Sequence, residues 1–133
     1  MIAPSAAEAA FRAAAKERIL VKDGPYGTAI QKLGLQESDY RGRLTVNHDQ
    51  KGNNDILNLT LPDAIAGVGR SYIESGADLL ATNTFNANSI SQADYGTEGL
   101  VREINLAAAR ILRAEADTAT ARDGKPRFVA SAL

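Results

Sequence analysis

Two stretches place polar groups where an apolar run stops. In the first, Ile19-Leu20-Val21-Lys22 runs into Asp23-Gly24-Pro25-Tyr26-Gly27-Thr28; in the second, Leu79-Leu80-Ala81 runs into Thr82-Asn83-Thr84-Phe85. Aliphatic and β-branched residues favour a buried strand, whereas Gly24, Pro25 and Gly27 cannot continue one, so Asp23 falls at a strand's carboxyl end. In α/β proteins that is where ligands bind. Gly24 and Gly27 leave backbone amides uncovered by side chains, which lets a small anionic group approach them. The second stretch repeats the design, with small polar residues at the end of a strand. The competing reading of the first stretch is an acid-glycine turn with a solvated carboxylate.

Other polar clusters carry less. His48, the sole histidine, sits beside Asp49 in a polar segment that reads as surface loop. Asn53-Asn54-Asp55 lacks the spaced acids and terminal Glu of a calcium loop and reads as a turn. Gly24 to Thr28 lacks the Gly-Lys-Ser/Thr ending of a nucleotide P-loop, which leaves a phosphate-binding turn as a weaker alternative. With one histidine and scattered acids, no Ser-His-Asp set can be assembled.

Composition narrows the classes. A chain of 133 residues is one small domain or a piece of a larger one, and 44% hydrophobic with 23% charged residues permits a genuine core. Fifteen basic and sixteen acidic residues, without a Lys/Arg cluster, argue against a nucleic-acid surface. No apolar run approaches the roughly 20 residues needed to span a bilayer, and Glu8, Arg12, Lys16 and Glu17 interrupt any leader-like core. The expectation is a cytoplasmic protein without membrane partners. Zero cysteines fit that compartment and exclude disulfides, thiolate nucleophiles and cysteine-ligated metal within the chain.

The elements that must position these groups alternate. Ser5-x-x-Glu8 reads as a capping box opening a helix to about Glu17, with a weak stripe of Ala7, Ala10, Phe11 and Ala14 that places it on the outside. The strand Ile19 to Asp23 follows, then a brief helix around Ala29 to Leu33 closed by Gly34. From Leu35 to Thr60 periodicity dissolves into what reads as a long functional or disordered loop. Pro62 opens a helix with Ile65, Val68, Tyr72 and Ile73 at helical spacing, ended by Gly76. Asp78 to Phe85 reads as the second strand. After a short helix or loop from Ile90 to Ala93, Thr97 is expected to cap a long helix. Leu100, Ile104, Ala107, Ala108 and Ile111 form its buried stripe, and Arg102, Glu103, Arg110, Arg113 and Glu115 its solvated flank. Arg127 to Leu133 begins a third strand. Helix, strand, helix, strand, helix, strand implies parallel strands with helical crossovers. Three parallel strands leave an open edge, so the chain either starts a larger α/β domain or pairs with another copy through that edge.

In order and spacing, Asp23-Gly24-x-x-Gly27-Thr28, Arg41-Gly42, Lys51-Gly52-Asn53-Asn54-Asp55, Ser75-Gly76-Ala77-Asp78, Thr82-Asn83-Thr84-Phe85-Asn86 and Ala93-Asp94-Tyr95 resemble the N-terminal homocysteine-binding domain of cobalamin-dependent methionine synthase, in the homocysteine S-methyltransferase family. The resemblance runs from Arg18 onward. It implies a division into an N-terminal helix (1–17) and a partial homocysteine-binding barrel domain (18–133), the latter being the first roughly three β/α units of a (β/α)8 barrel. It also implies methyl transfer to the sulfur of homocysteine, with zinc holding that sulfur as thiolate and methylcobalamin as donor on other modules. The family's zinc ligands are cysteines of later strands, so this chain alone is expected to bind neither cofactor and to be inactive by itself. What remains is the substrate's amino-acid end. The resemblance makes Asp23 the partner of the ammonium, gives the carboxylate to amides near Gly24 and Gly27, and lines the pocket with Thr82, Asn83 and Thr84.

Four positions depart from the family's pattern: Pro25 and Tyr26 stand where Ala-Met is usual, Ala81 where Glu is common, and Lys22 where an apolar residue is typical. If Asp23 points into the barrel, strand alternation sends Lys22 toward the helix layer, where an unpaired ammonium is costly. The alternative function is a non-catalytic half-barrel that binds an amino acid or self-associates. Partners beyond homocysteine would be the remaining barrel strands and the cobalamin and folate modules of a parent enzyme.

Overall fold

A computed structural model describes residues 5–131. They form a mixed α/β fold, mostly helical, around a short parallel sheet. Helices α1 (Ala6–Glu17), α2 (Tyr26–Gln31), α3 (Glu37–Arg41), α4 (Leu57–Thr60) and α5 (Pro62–Glu74) precede strand β1 (Leu79–Ala81); α6 (Ser89–Ala93) and α7 (Val101–Asp123) precede β2 (Phe128–Ala130). β1 and β2 pair in parallel, with Leu79 opposite Phe128 and Leu80 opposite Val129.

The expected first strand is reduced. The segment before Asp23 lies parallel to β1 but meets it in a single bridge, Lys22 with Leu79. The Asp23 amide donates to the Leu79 carbonyl at 2.9 Å, and the Asp78 and Leu79 amides donate to the Val21 carbonyl. Ile19 and Val21 are exposed, so no apolar burial extends the pairing. Asp78 fixes the segment's start instead: its carboxylate accepts both terminal nitrogens of Arg18 at 2.7 and 2.8 Å and the Val21 amide at 2.9 Å. The second strand is also shorter than expected: the Thr82 amide still donates to the Ala130 carbonyl at 2.9 Å, and beyond it the chain curls into polar bonds of its own. Of the third expected strand, Arg127 to Leu133, the described part is β2; Ala132 and Leu133 lie outside the described residues.

The core lies between sheet and helices. Leu80, Ile65, Ile104 and Leu112 are wholly buried, as are Ile56 and Leu57, and each such side chain contributes about 1.5–3 kcal/mol of burial. α5 and α7 approach closely because Gly69 has no side chain: a Cβ there would come 2.6 Å from Leu112 Cδ2. The buried stripe of α7 runs Ile104, Ala108, Leu112, Ala116, Ala119, continuing two turns beyond the expected one. Its flank is only partly solvated, since Glu115 accepts Arg70 of α5 through two bonds of 3.0 and 2.9 Å. α1 buries no residue and touches the sheet by Phe11, whose ring meets Phe128 edge-on at 5.3 Å. Ser5 Oγ caps α1 by accepting the Glu8 amide, while the Glu8 carboxylate pairs with Arg12.

The unpatterned stretch from Leu35 to Thr60 is ordered: it contains α3, a 3-10 turn at Asn54–Ile56 and α4. Hydrogen bonding replaces hydrophobic periodicity as its organising force. Asn53 Nδ2 donates to Gln50 Oε1 and Gln92 Oε1, Gln92 Nε2 donates back to Asn53 Oδ1, and Gln50 Nε2 donates to the Tyr95 carbonyl, all in the interior. Thr97 belongs to this network rather than to a helix cap; its hydroxyl donates to Gln92 Oε1 at 2.7 Å, and a 3-10 turn at Glu98–Leu100 leads into α7. Among the described residues no helix is long and apolar enough to cross a membrane.

Candidate functional site

Beyond the carboxyl ends of the parallel segments lies a cavity of about 310 Å³. Three pieces of chain wall it: the glycine turn (residues 22 and 24–27), the polar loop before α4 (52, 54 and 55), and the end of β1 (81–86). It therefore unites both stretches that the sequence marks as strand ends. Gly24, Gly27, Thr82, Asn83 and Thr84 all line it.

Local bonds explain the shape of each wall. Thr82 and Thr84 share a hydroxyl-hydroxyl bond of 2.7 Å, and the Thr84 amide donates to the Thr82 carbonyl, so the chain curls immediately after the strand. Asn83 staples this curl to the polar loop: its Nδ2 donates to the Asn54 carbonyl at 2.8 Å, while Asn58 Nδ2 donates to the Asn83 carbonyl at 2.7 Å. Buried donors and acceptors matched in this way hold a loop where no apolar stripe could. Gly24 has a packing reason of its own. A Cβ there would lie 2.9 Å from the Tyr72 ring, whose hydroxyl donates to the Pro25 carbonyl at 2.9 Å, so only glycine lets α5 close on the turn. At Gly27 a Cβ would meet nothing closer than 3.8 Å.

Asp23 stands behind the cavity wall and does not line it. Its side chain is out of solvent; Oδ2 accepts the Ala81 amide at 2.9 Å and Oδ1 lies 3.2 Å from Lys22 Nζ. The bridge between Lys22 and Leu79 explains this. Lys22, Leu79 and Phe128 occupy one register position and so share a face, leaving Asp23 on the alternate face with wholly buried Leu80. Alternation thus runs opposite to the premise that Asp23 points inward, and Lys22 is neither unpaired nor in the helix layer: it lines the cavity with its side chain 60% exposed. Beside Asp23, the Tyr26 hydroxyl is buried, and burial reinforced by the Asp23 carboxylate pushes its phenol well above the ordinary range.

Asp55 is the site residue that sequence reading passes over. It is buried, lines the cavity, and accepts the Asn86 amide through Oδ1 at 2.9 Å. Burial pushes its carboxyl pKa up, and the Asn86 bond pulls against that shift. The signals in the sequence are its place in the Asn53-Asn54-Asp55 cluster, which carries turn chemistry just as well, and in the Lys51 to Asp55 motif of the family resemblance, neither of which marks it as lining a cavity.

Zinc can be tested against the residues present. Zinc takes thiolate, imidazole or carboxylate donors. The chain has no cysteine, its one imidazole, His48, packs against Gly96 outside the cavity wall, and the described residues hold no group of three His, Cys, Asp or Glu fit for a metal ion. These residues do not compose a zinc site.

Parallel strands crossed by helices, with a cavity beyond their carboxyl ends, make the chain a mixed α/β protein. Residues 20–133 match the family model of homocysteine S-methyltransferase, and the chain belongs to that family. The reaction of the family is methyl transfer to homocysteine.

Proposed function

We propose that the chain supplies the amino-acid-recognition part of a homocysteine S-methyltransferase site of the methionine synthase type, with the substrate seated in the cavity beyond β1. The observation that carries this reading is the convergence of Gly24, Gly27, Thr82, Asn83 and Thr84 on one cavity within a chain of that family. Uncovered amides of the turn face the carboxylate, and the polar curl of Thr82 to Thr84 lines the substrate's flank. Asp23 supports them from behind by holding the Ala81 amide and the Lys22 ammonium. The segment before Asp23, β1 and β2 are the first three strands of a (β/α)8 barrel domain that starts at residue 18, after the segment carrying α1; their shared direction and sequential adjacency support this.

A free thiol with a pKa of about 8.5 is mostly protonated at neutral pH, so methyl transfer needs the sulfur activated. The described residues hold no metal-binding group that would do so. Zinc ligands, and methylcobalamin as donor, belong to further strands and modules of a parent enzyme, and the chain alone is inactive. The place of action is the cytoplasm. Calorimetric titration with L-homocysteine tests the reading: saturable binding is expected, weakened at least about tenfold by Asn83→Ala, which frees both loops lining the cavity. Absence of binding to the folded chain would contradict it.

A further inference from the structure

Of the residues lining the cavity, two carry charge, and they are of opposite sign: Lys22 and Asp55. Each has capacity left for a ligand. An ammonium has three donors, and Lys22, which lines the cavity with its side chain 60% exposed, gives one of them to Asp23 at 3.2 Å. A carboxylate offers about four acceptor positions. Asp55 gives one to the Asn86 amide, and among the described residues it makes no ion pair. Both groups are held from behind, Lys22 by a buried acid and Asp55 by the backbone, so neither needs reordering to meet a ligand.

We propose that the cavity reads its ligand as a zwitterion, with Lys22 taking the carboxylate and Asp55 the ammonium of an α-amino acid. This rests on the recognition role proposed above and reassigns the two ends of the substrate. Asp23, enclosed and already bonded, acts as a positioning residue for Lys22. A buried acid without a cation is disfavoured until a ligand ammonium supplies one, which makes the pocket selective against acids that lack the amine. An aliphatic residue in place of Lys22 would leave the carboxylate to neutral amides alone, and charge-assisted bonds are the stronger kind.

The test uses the full chain and three thiols: L-homocysteine, 3-mercaptopropylamine, which lacks the carboxylate, and 4-mercaptobutanoate, which lacks the amine. The wild-type chain is expected to bind L-homocysteine at least about tenfold more tightly than either analogue. Lys22→Met should cut the preference over 3-mercaptopropylamine severalfold, to what the neutral amides give, and keep the preference over 4-mercaptobutanoate; Asp55→Asn should cut the preference over 4-mercaptobutanoate and keep that over 3-mercaptopropylamine. Asparagine keeps an oxygen for the Asn86 amide, and the backbone amide spectrum reports whether each variant is folded. Should Asp55→Asn not fold, the solvent-exposed Lys22 arm decides alone. Wild-type selectivity retained in Lys22→Met would overturn the proposal while leaving homocysteine recognition standing. Binding of L-norleucine with the same two losses, but none of L-homocysteine, would uphold the zwitterion reading and sink the substrate. Failure of every zwitterion to bind would overturn both.

Discussion

Two buried acids at opposite ends of the sheet, Asp78 and Asp55, are handled in opposite ways. At the amino end, Asp78 spends its carboxylate on the Arg18 guanidinium and the Val21 amide, and the Arg18 bonds hold its pKa below the ordinary carboxylate range. At the carboxyl end, Asp55 has a backbone amide but no cation among the described residues, and burial pushes its pKa up. An acid matched inside the fold stabilises it, whereas an acid left without its counter-charge in a cavity is held ready for something else. The amino end is construction. The carboxyl end is where the fold accepts an unfavourable charge, and that is where a ligand gains most.

The comparison can be broken by removing what joins the two ends. Leu80 is wholly buried in the middle of β1, and Leu80→Ala is expected to destabilise the chain by about 2–5 kcal/mol in urea unfolding, both ends being lost in one transition. Two separate transitions would show that the ends are independent units. A smaller effect isolates the site end: Asn53→Ala removes the centre of the Gln50, Asn53 and Gln92 network and should cost about 1–3 kcal/mol, with amide exchange rising first in residues 50–58. Uniform exchange across α7 as well would deny that the polar half has its own stability.

The smallest effect concerns pH, and its sign differs between the ends. The folded pKa of Asp78 lies below its unfolded value, so its contribution is present above about pH 4 and is lost as pH falls through the folded value. The folded pKa of Asp55 lies above its unfolded value, so its ionisation works against stability as pH rises through that range. Asp78→Asn should therefore flatten the fall in melting temperature on acidification, whereas Asp55→Asn should raise stability most at neutral pH. Identical pH profiles for the two variants would remove the distinction drawn here.

The same division governs what was legible in the sequence. The apolar half announced itself: Ile65, Val68 and Ile73 of α5 and Ile104 and Ala108 of α7 recur at helical spacing and are buried as that spacing requires. The later turns of α7 were harder to read because Ala116 and Ala119 bury little and sit among charges, one of which, Glu115, faces Arg70. The polar half gave no period, since Gln50, Asn53 and Asn58 are interior residues of loop-forming types. Strand ends were visible at Gly24, Gly27 and Thr82 to Thr84 because a breaker or a polar run follows an aliphatic one. Which face each strand residue takes was not visible. One parallel bridge, Lys22 with Leu79, decides that Lys22 meets the cavity and Asp23 the interior, and register of that kind is fixed by partners distant in the chain.

The central claim is that the recognition end of a homocysteine site is already formed in this chain. Following the backbone amides in an NMR titration with L-homocysteine tests it most directly. The account predicts saturable shifts at Gly24, Gly27, Asn83 and Asn86, independent of added zinc, with the amides of α7 unmoved. A dispersed spectrum in which those four amides stay fixed, or move only together with α7, would contradict it.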